Sequence, residues 1–462
     1  MASSAKIVEI IELIMKRSLD TSTMQRSLGD LDLIADPTLS MIMDSNVLDN
    51  TLIRLPDVTS LEKIHLHVRG YYAYWGGYAE HLRSFVFKLA ENSDYEIKIT
   101  PIASPINIDP TIMARMGMFF KNHAFNIEKS IFLNILGPGW MQDDEKFIPQ
   151  DGRYKIGWTM VETKEVQKEI LDWLNNLDEV WAPTDMDVRR FRSHRNVCKM
   201  HLGYDEKRYN TKIKPLDIVN LRGKYVFGVF GSWNKRKGVK LICRAFCKAF
   251  RGNGRVALFL MCRFGNRPYD ESKGFCGKEL RKKEDLSKWT VIWELNAILK
   301  ELKEEMGEDL PQITLCDVPI HENVLPRFLK RFDCLVGFSR GESTWLPGLE
   351  LSAMGTPIIQ LAAESNGFME YLEDYGYLCK DVKYELADDE DVKGTSIYYE
   401  GQELASGDEN EVSEKMIKVY KDRESAEQIV RTSKGLGKMD NWTWRKSIEM
   451  ADKRLKEVKK MK

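Results

Sequence analysis

The chain has 462 residues, enough for two or three domains at roughly 100 to 200 residues each. Its 69 Lys and Arg stand against 70 Asp and Glu, so no overall field draws it to nucleic acid or to an anionic membrane. No apolar stretch approaches the ~20 residues of a membrane-spanning helix, and the 8 cysteines are dispersed, several of them in apolar runs, as buried reduced thiols are.

Residues 1–58 open on a helical stripe, Ile7, Ile10, Ile11 and Ile14, broken by Glu9 and Glu12, which the apolar core of a secretory signal would exclude. A cytoplasmic location is expected, and the segment is set apart as an accessory. Ile64 to Val68 reads as a strand, Arg69 to Gly77 as a loop, and Tyr78, Leu82, Phe85, Val86 and Leu89 as one face of a helix. Gly76 and Gly77 at that turn reverse the chain, and they also let a phosphate approach the free N–H groups of the helix start. Ile131 to Leu136 is a further strand. Val166, Ile170, Trp173, Leu174 and Leu177 make a helical stripe, and Val180 to Pro183 a strand. Asp185-Met186-Asp187 has the spacing of a metal-binding D-x-D, but Thr184 with Asp187 three residues on reads as a capping box. No metal site is expected. Polar residues 206–222 form a linker, so a first domain is expected over 59–212 and a second over 213–440.

The second domain opens with strand Tyr225–Phe230, a basic loop Gly231-Ser232-Trp233-Asn234-Lys235-Arg236-Lys237-Gly238, and the helical face Val239, Ile242, Ala245, Phe246 and Phe250. Fixed cations and helix N–H groups converging on one corner make an anion site, suited to a diphosphate. Ala257 to Met261 is the next strand. A charged insertion at 266–312 precedes strand Ile313–Cys316 and a helix carrying Val324, Leu325, Phe328 and Leu329. Asp333 to Phe338 has the short apolar character of a strand buried on both faces. Glu342 follows just past its carboxyl end, and Pro347 opens a helix that carries Glu350 and stops at Gly355 and Pro357. Strand Ile358–Leu361 completes an order that puts Glu342 in the crevice where open α/β sheets bind ligands. Helices follow from about residue 410, and 441–462 is a terminal basic helix that either presents a solvated face or touches an anionic membrane peripherally.

Glu342 and Glu350, with Leu351, Ala353 and the trailing Gly355-Thr356-Pro357, resemble the E-x7-E signature of retaining glycosyltransferases of the GT-B fold, the glycosyl transferases group 1 family. The resemblance extends over roughly 60–460. It includes His201-Leu202-Gly203-Tyr204-Asp205, similar to the family's Gly-Val-Asp turn, and Lys237-Gly238, similar to its phosphate-binding Lys-Gly. It implies two doubly wound Rossmann-like domains with a cleft between them, and a terminal helix crossing back to the first. The first domain would take the acceptor and the second the donor. It also implies a hexosyltransferase that moves a sugar from a nucleotide diphosphate to a glycan, lipid or protein acceptor with retention, without metal or other cofactor. Glu342 and Lys237 would be catalytic. Gly76, Gly77, Gly231, Ser232, Arg236, Lys237, Ser343, Thr344 and Glu350 would bind the donor, Glu350 through its ribose.

Two departures mark the chain. Ser232 stands where many members carry an arginine, and Ser343-Thr344-Trp345 replaces the usual Gly-Phe-Gly, so that Trp345 is expected to crowd the sugar site. The altered Ser343 to Trp345 segment keeps open a catalytically silent sugar-binding protein, and a nucleotide-sugar epimerase of the same fold, a class that lacks the spaced glutamate pair, is the other alternative.

Overall fold

The computed structural model describes residues 63–72, 76–102, 110–120, 125–137, 152–263, 291–318, 320–373, 376–394, 399–431 and 438–461. The accessory segment 1–58, Cys276 and the first part of the insertion expected at 266–312 lie outside these residues.

Two six-stranded parallel sheets form the two lobes. The first contains β1 (Ile64–Gly70), β2 (Tyr95–Pro101), β3 (Ile131–Ile135), β4 (Tyr154–Trp158), β5 (Glu179–Ala182) and β6 (Val197–Lys199), in the spatial order β2-β1-β3-β4-β5-β6. The second contains β7 (Tyr225–Ser232), β8 (Val256–Arg263), β9 (Gln312–Cys316), β10 (Cys334–Val336), β11 (Ile358–Leu361) and β12 (Tyr377–Cys379), in the order β12-β11-β10-β7-β8-β9. The second order is that of a doubly wound nucleotide-binding sheet, whose direction of winding reverses between β7 and β10. A two-stranded antiparallel ribbon, β13 (Val382–Leu386) with β14 (Glu403–Gly407), flanks it. The architecture is the GT-B arrangement that the resemblance implies.

The central strands are buried on both faces, which is why they read as apolar runs without alternation: Phe227, Leu258, Leu260 and Val336 face one layer, and Phe259 and Leu335 the other. Helix α1 (Gly77–Leu89) lays Leu82, Phe85, Val86 and Leu89 on the first sheet. Helix α2 (Asp185–Arg190) starts at Thr184, whose hydroxyl accepts from Asp187 N at 3.1 Å, the expected cap. In the second lobe, α3 (Val239–Phe250) buries Val239, Ile242, Ala245, Phe246 and Phe250, every position of the expected face. Helix α4 (Leu346–Ala353) carries Glu350, and α5 (Trp444–Lys460) is capped by Thr443.

Helix α5 returns to the first lobe. Trp444, Ala451, Leu455 and Val458 join the core of Leu66, Val68, Phe85 and Trp158, and Trp444 stacks on His81 at 5.7 Å. Many of its basic side chains are matched by acids: Arg454 with Glu179 at 2.8 Å, Lys456 with Asp94 at 3.0 Å, and Arg445 and Lys446 with Glu449 at 2.9 Å each. Among the described residues no helix is long and apolar enough to cross a membrane.

Because Trp444 is the apolar bolt between α5 and the first lobe, Trp444→Ala should lower stability by about 3–5 kcal/mol, the usual result of emptying a buried aromatic site. Urea unfolding followed by circular dichroism measures this, and a loss below about 1 kcal/mol would show that α5 is not bolted there.

Candidate functional site

Between β7 and β10 the helices that follow each strand pass to opposite faces of the sheet, so the loops leaving these neighbours diverge and leave a crevice. The loop after β7 tightens into a single turn at Lys235–Lys237, capped by the Asn234 side chain, which accepts from Lys237 N at 3.0 Å. Gly238 ends the turn in the left-handed region, φ 68°, where a Cβ would meet the Phe338 carbonyl oxygen at 2.5 Å. Glycine is thus required both by backbone and by space. Gly231 and Ser232 belong to the end of β7 rather than to the loop, and the position of a Gly231 Cβ lies 3.8 Å from Lys237 Cε.

The loop after β10 brings Glu342 to those cations. Lys237 Nζ is paired with Glu342 Oε1, Arg236 Nη1 lies 3.2 Å from the same oxygen, and Ser339 donates to it at 2.9 Å. All four side chains are buried or nearly so. Burial alone would raise the Glu342 carboxyl, but Lys237 and Arg236 outweigh it and hold the group below the usual carboxylate range. Lys237 is pushed below its ordinary value by burial, with Arg236 adding to the effect and Glu342 opposing it. Arg236 also donates to the Gly341 carbonyl, and its Nη2 lies 3.8 Å from Glu162 of the first lobe.

Eight residues on, Glu350 occupies a different environment. Burial and the nearby Glu80 carboxylate raise it from 4.5 to about 8, against the opposing Arg208 and a hydrogen bond from Tyr209. Glu80 sits in the first turn of α1, just past Gly76 and Gly77. Arg208 bridges the lobes, 3.3 Å from Glu80 and 3.9 Å from Glu322. Gly76 caps α1, and a Cβ at Gly77 would meet open space.

The first lobe closes over this crevice at several points. Ser343 donates to Asp187 Oδ2 at 2.6 Å, Arg190 donates to the Ser365 carbonyl at 3.0 Å, Lys199 pairs with Glu370 at 2.7 Å, and Tyr399 donates to Glu162 at 3.1 Å. A Cβ at Gly341 would overlap the Glu162 carbonyl oxygen, so the backbones touch there. Thr344 is buried and its hydroxyl has no partner among the described residues.

Trp345 does not crowd the crevice. Its backbone adopts φ 50°, ψ 72°, an outlier for a bulky residue, and its ring turns inward over Gly337 and Gly348 to pack on Phe368. Tyr371 fixes the distortion by donating to the Thr344 and Trp345 carbonyls at 2.9 and 3.0 Å. The expected obstruction is therefore a wedge beneath the helix that carries Glu350.

Of the residues singled out in the sequence, Arg236, Lys237 and Glu342 come together directly, and Ser343 and Thr344 adjoin them in the chain. Glu350 joins the Gly76-Gly77 corner through Glu80. Sequence reasoning missed Glu80, Arg208 and Tyr209, and the contacts that Glu162 and Asp187 make with the second lobe. Two signals pointed to them: a carboxylate in the first helical turn after a Gly-Gly corner, and the residues following the Gly203-Tyr204-Asp205 turn.

No family model matches the sequence, and no curated relative does. Solved structures do match. Anabaena Alr3699/HepE in complex with UDP-glucose superposes with a TM-score of 0.54 at 11% identity, over 85% of this chain and 100% of that one. Sucrose-phosphate synthase from Thermosynechococcus elongatus gives 0.55 at 12% identity, over 86% and 99%. A UDP-forming alpha,alpha-trehalose-phosphate synthase from Burkholderia vietnamiensis gives 0.56 at 11%, over 86% and 99%. Likeness at these identities establishes the fold.

Glu350 makes a stability prediction with a definite sign. A carboxyl raised from 4.5 to about 8 keeps its proton in the folded chain while the unfolded chain loses it, so stability falls as pH rises through that window. Glu350→Gln should therefore be the more stable protein at pH 8, by about 1–3 kcal/mol, and should match the parent near pH 4. Thermal unfolding across that pH range measures the difference; a variant less stable than the parent at pH 8 would contradict it.

Proposed function

We propose that the protein is a glycosyltransferase that moves a sugar from a nucleotide diphosphate to an acceptor hydroxyl, with retention of configuration. The observation that carries the reading is the convergence of Arg236 and Lys237 on Glu342 at the point where the second sheet reverses its winding. The structural neighbours support a nucleotide-sugar donor, since HepE was solved with UDP-glucose and with UDP.

The chemistry requires opposite charges to be stabilised a few ångströms apart. The bond between the anomeric carbon and the diphosphate oxygen breaks, leaving the electron pair on the diphosphate. The acceptor oxygen forms the new bond to that carbon, and its proton passes to the departing diphosphate. Lys237 stabilises the charge growing on the leaving group, and the helix start at Gly76-Gly77 faces the same phosphates from the first lobe. With these cations in place no metal ion is needed. Glu342 lies where the sugar ring becomes positive, Ser343 and Thr344 offer backbone N–H groups to its hydroxyls, and Glu350 accepts from the ribose. The acceptor, a glycan, lipid or protein, enters from the first lobe.

Thermal-shift screening of nucleotide diphosphates and their sugars identifies the donor, because a ligand that binds only the folded chain stabilises it. With that donor, Lys237→Ala should lower turnover by roughly 100- to 1000-fold, the scale of losing one preorganised electrostatic donor. Unchanged turnover in Lys237→Ala would remove the residue from the mechanism.

A further inference from the structure

The cations that would meet a diphosphate already hold an anion belonging to the chain itself. One oxygen of Glu342 takes the Lys237 ammonium, the Arg236 guanidinium at 3.2 Å and the Ser339 hydroxyl at 2.9 Å, all in a buried setting. Three donors on a single carboxylate oxygen is the pattern of a bound phosphate oxygen. The two cations are not held alike. Arg236 has further partners that do not depend on Glu342: the Gly341 carbonyl, and Glu162 of the opposite lobe at 3.8 Å. Glu162 is itself fixed by the Tyr399 hydroxyl at 3.1 Å. Among the described residues Lys237 is ion-paired with Glu342 alone.

We propose that Glu342 is an internal counter-anion that competes with the donor's diphosphate for Lys237, while Arg236, tethered to Glu162 across the cleft, stays in place as a positioning residue. The inference rests on the nucleotide-sugar reading and adds an exchange to it. When the donor enters, Lys237 turns from Glu342 to a phosphate oxygen, and the carboxylate, still held by Arg236 and Ser339, faces the sugar, where positive charge develops. After transfer Glu342 reclaims Lys237 and helps to expel the nucleoside diphosphate. A buried ammonium without a counter-anion is costly, so the pairing protects the empty site as well. Weak binding of the product is thus built into the site, and the residue that weakens it is the one that assists the chemistry.

The test is calorimetric titration of inorganic pyrophosphate and of UDP into the full-length protein and its variants. Glu342→Gln should bind both at least about tenfold more tightly than the parent while turning over more slowly, because the competitor is gone and so is its help to the sugar. Glu162→Gln should change affinity much less, since its ion pair is with Arg236 while Lys237 is paired with Glu342, and Glu342→Gln combined with Lys237→Ala should lose the gain. Ser339→Ala, which removes one donor from Glu342 Oε1 and leaves both cations in the chain, provides a milder variant and should give a smaller gain of the same sign. Equal or weaker binding in both Glu342→Gln and Ser339→Ala, with circular dichroism unchanged, would overturn the exchange and leave the nucleotide-sugar reading standing. If pyrophosphate and UDP bind neither the parent nor any variant, the nucleotide reading falls and the exchange falls with it.

Discussion

The whole site depends on one constraint of the second sheet: its winding reverses between β7 and β10, so two loops that are neighbours at their roots are carried apart by helices on opposite faces. Whatever those loops carry must face a common gap. One carries Arg236 and Lys237, the other Glu342, and the three meet. Isolated buried charges are expensive, by several kcal/mol each even after relaxation, so clustering of opposite signs is what makes the corner tolerable. Glu350 receives less of that compensation, lying near Glu80 with Arg208 as the opposing cation. A carboxyl in so unfavourable a place lowers the stability of the fold at neutral pH.

The two lobes contribute to the gap from both sides. Glu162 touches the cation corner, Asp187 holds the hydroxyl of Ser343, and Arg208 stands between Glu80 and Glu322. Arg190 and Lys199 link the first lobe to Ser365 and Glu370 of the second. The terminal helix then fastens to the first lobe after the chain has built the second, so the lobes are joined both across the gap and behind it. Trp345 belongs to this framework: wedged over Gly337 and Gly348, it sets the start of the helix that presents Glu350.

Much of this was legible in the residues, and the exceptions have physical causes. Strands such as Tyr225–Ser232 and Ile358–Leu361 announce themselves because burial on both faces demands mostly apolar runs, and α3 does so because its apolar positions recur at helical spacing. Strand β4 was missed: Tyr154-Lys155-Ile156-Gly157-Trp158 mixes a charge and a glycine into a short run, and Gly157 is there to admit Leu177. The β13–β14 ribbon was missed because its exposed residues, among them Leu386, follow no clean alternation. Proximity of Glu342 to Lys237 followed from strand order, which the sequence implies. Proximity of Glu80 to Glu350 did not, because it depends on how the lobes face each other, and no local pattern encodes that. The inward turn of Trp345 was equally hidden, since a left-handed backbone at tryptophan is not a choice that local preference would make.

The most direct measurement is a crystal structure of the full chain with a nucleoside diphosphate bound. The account predicts the diphosphate in the gap between β7 and β10, with a phosphate oxygen within hydrogen-bond reach of Lys237 Nζ, the Glu342 carboxylate turned away from that ammonium, and the ribose on Glu350. A diphosphate bound elsewhere, with Lys237 still on Glu342, would contradict it.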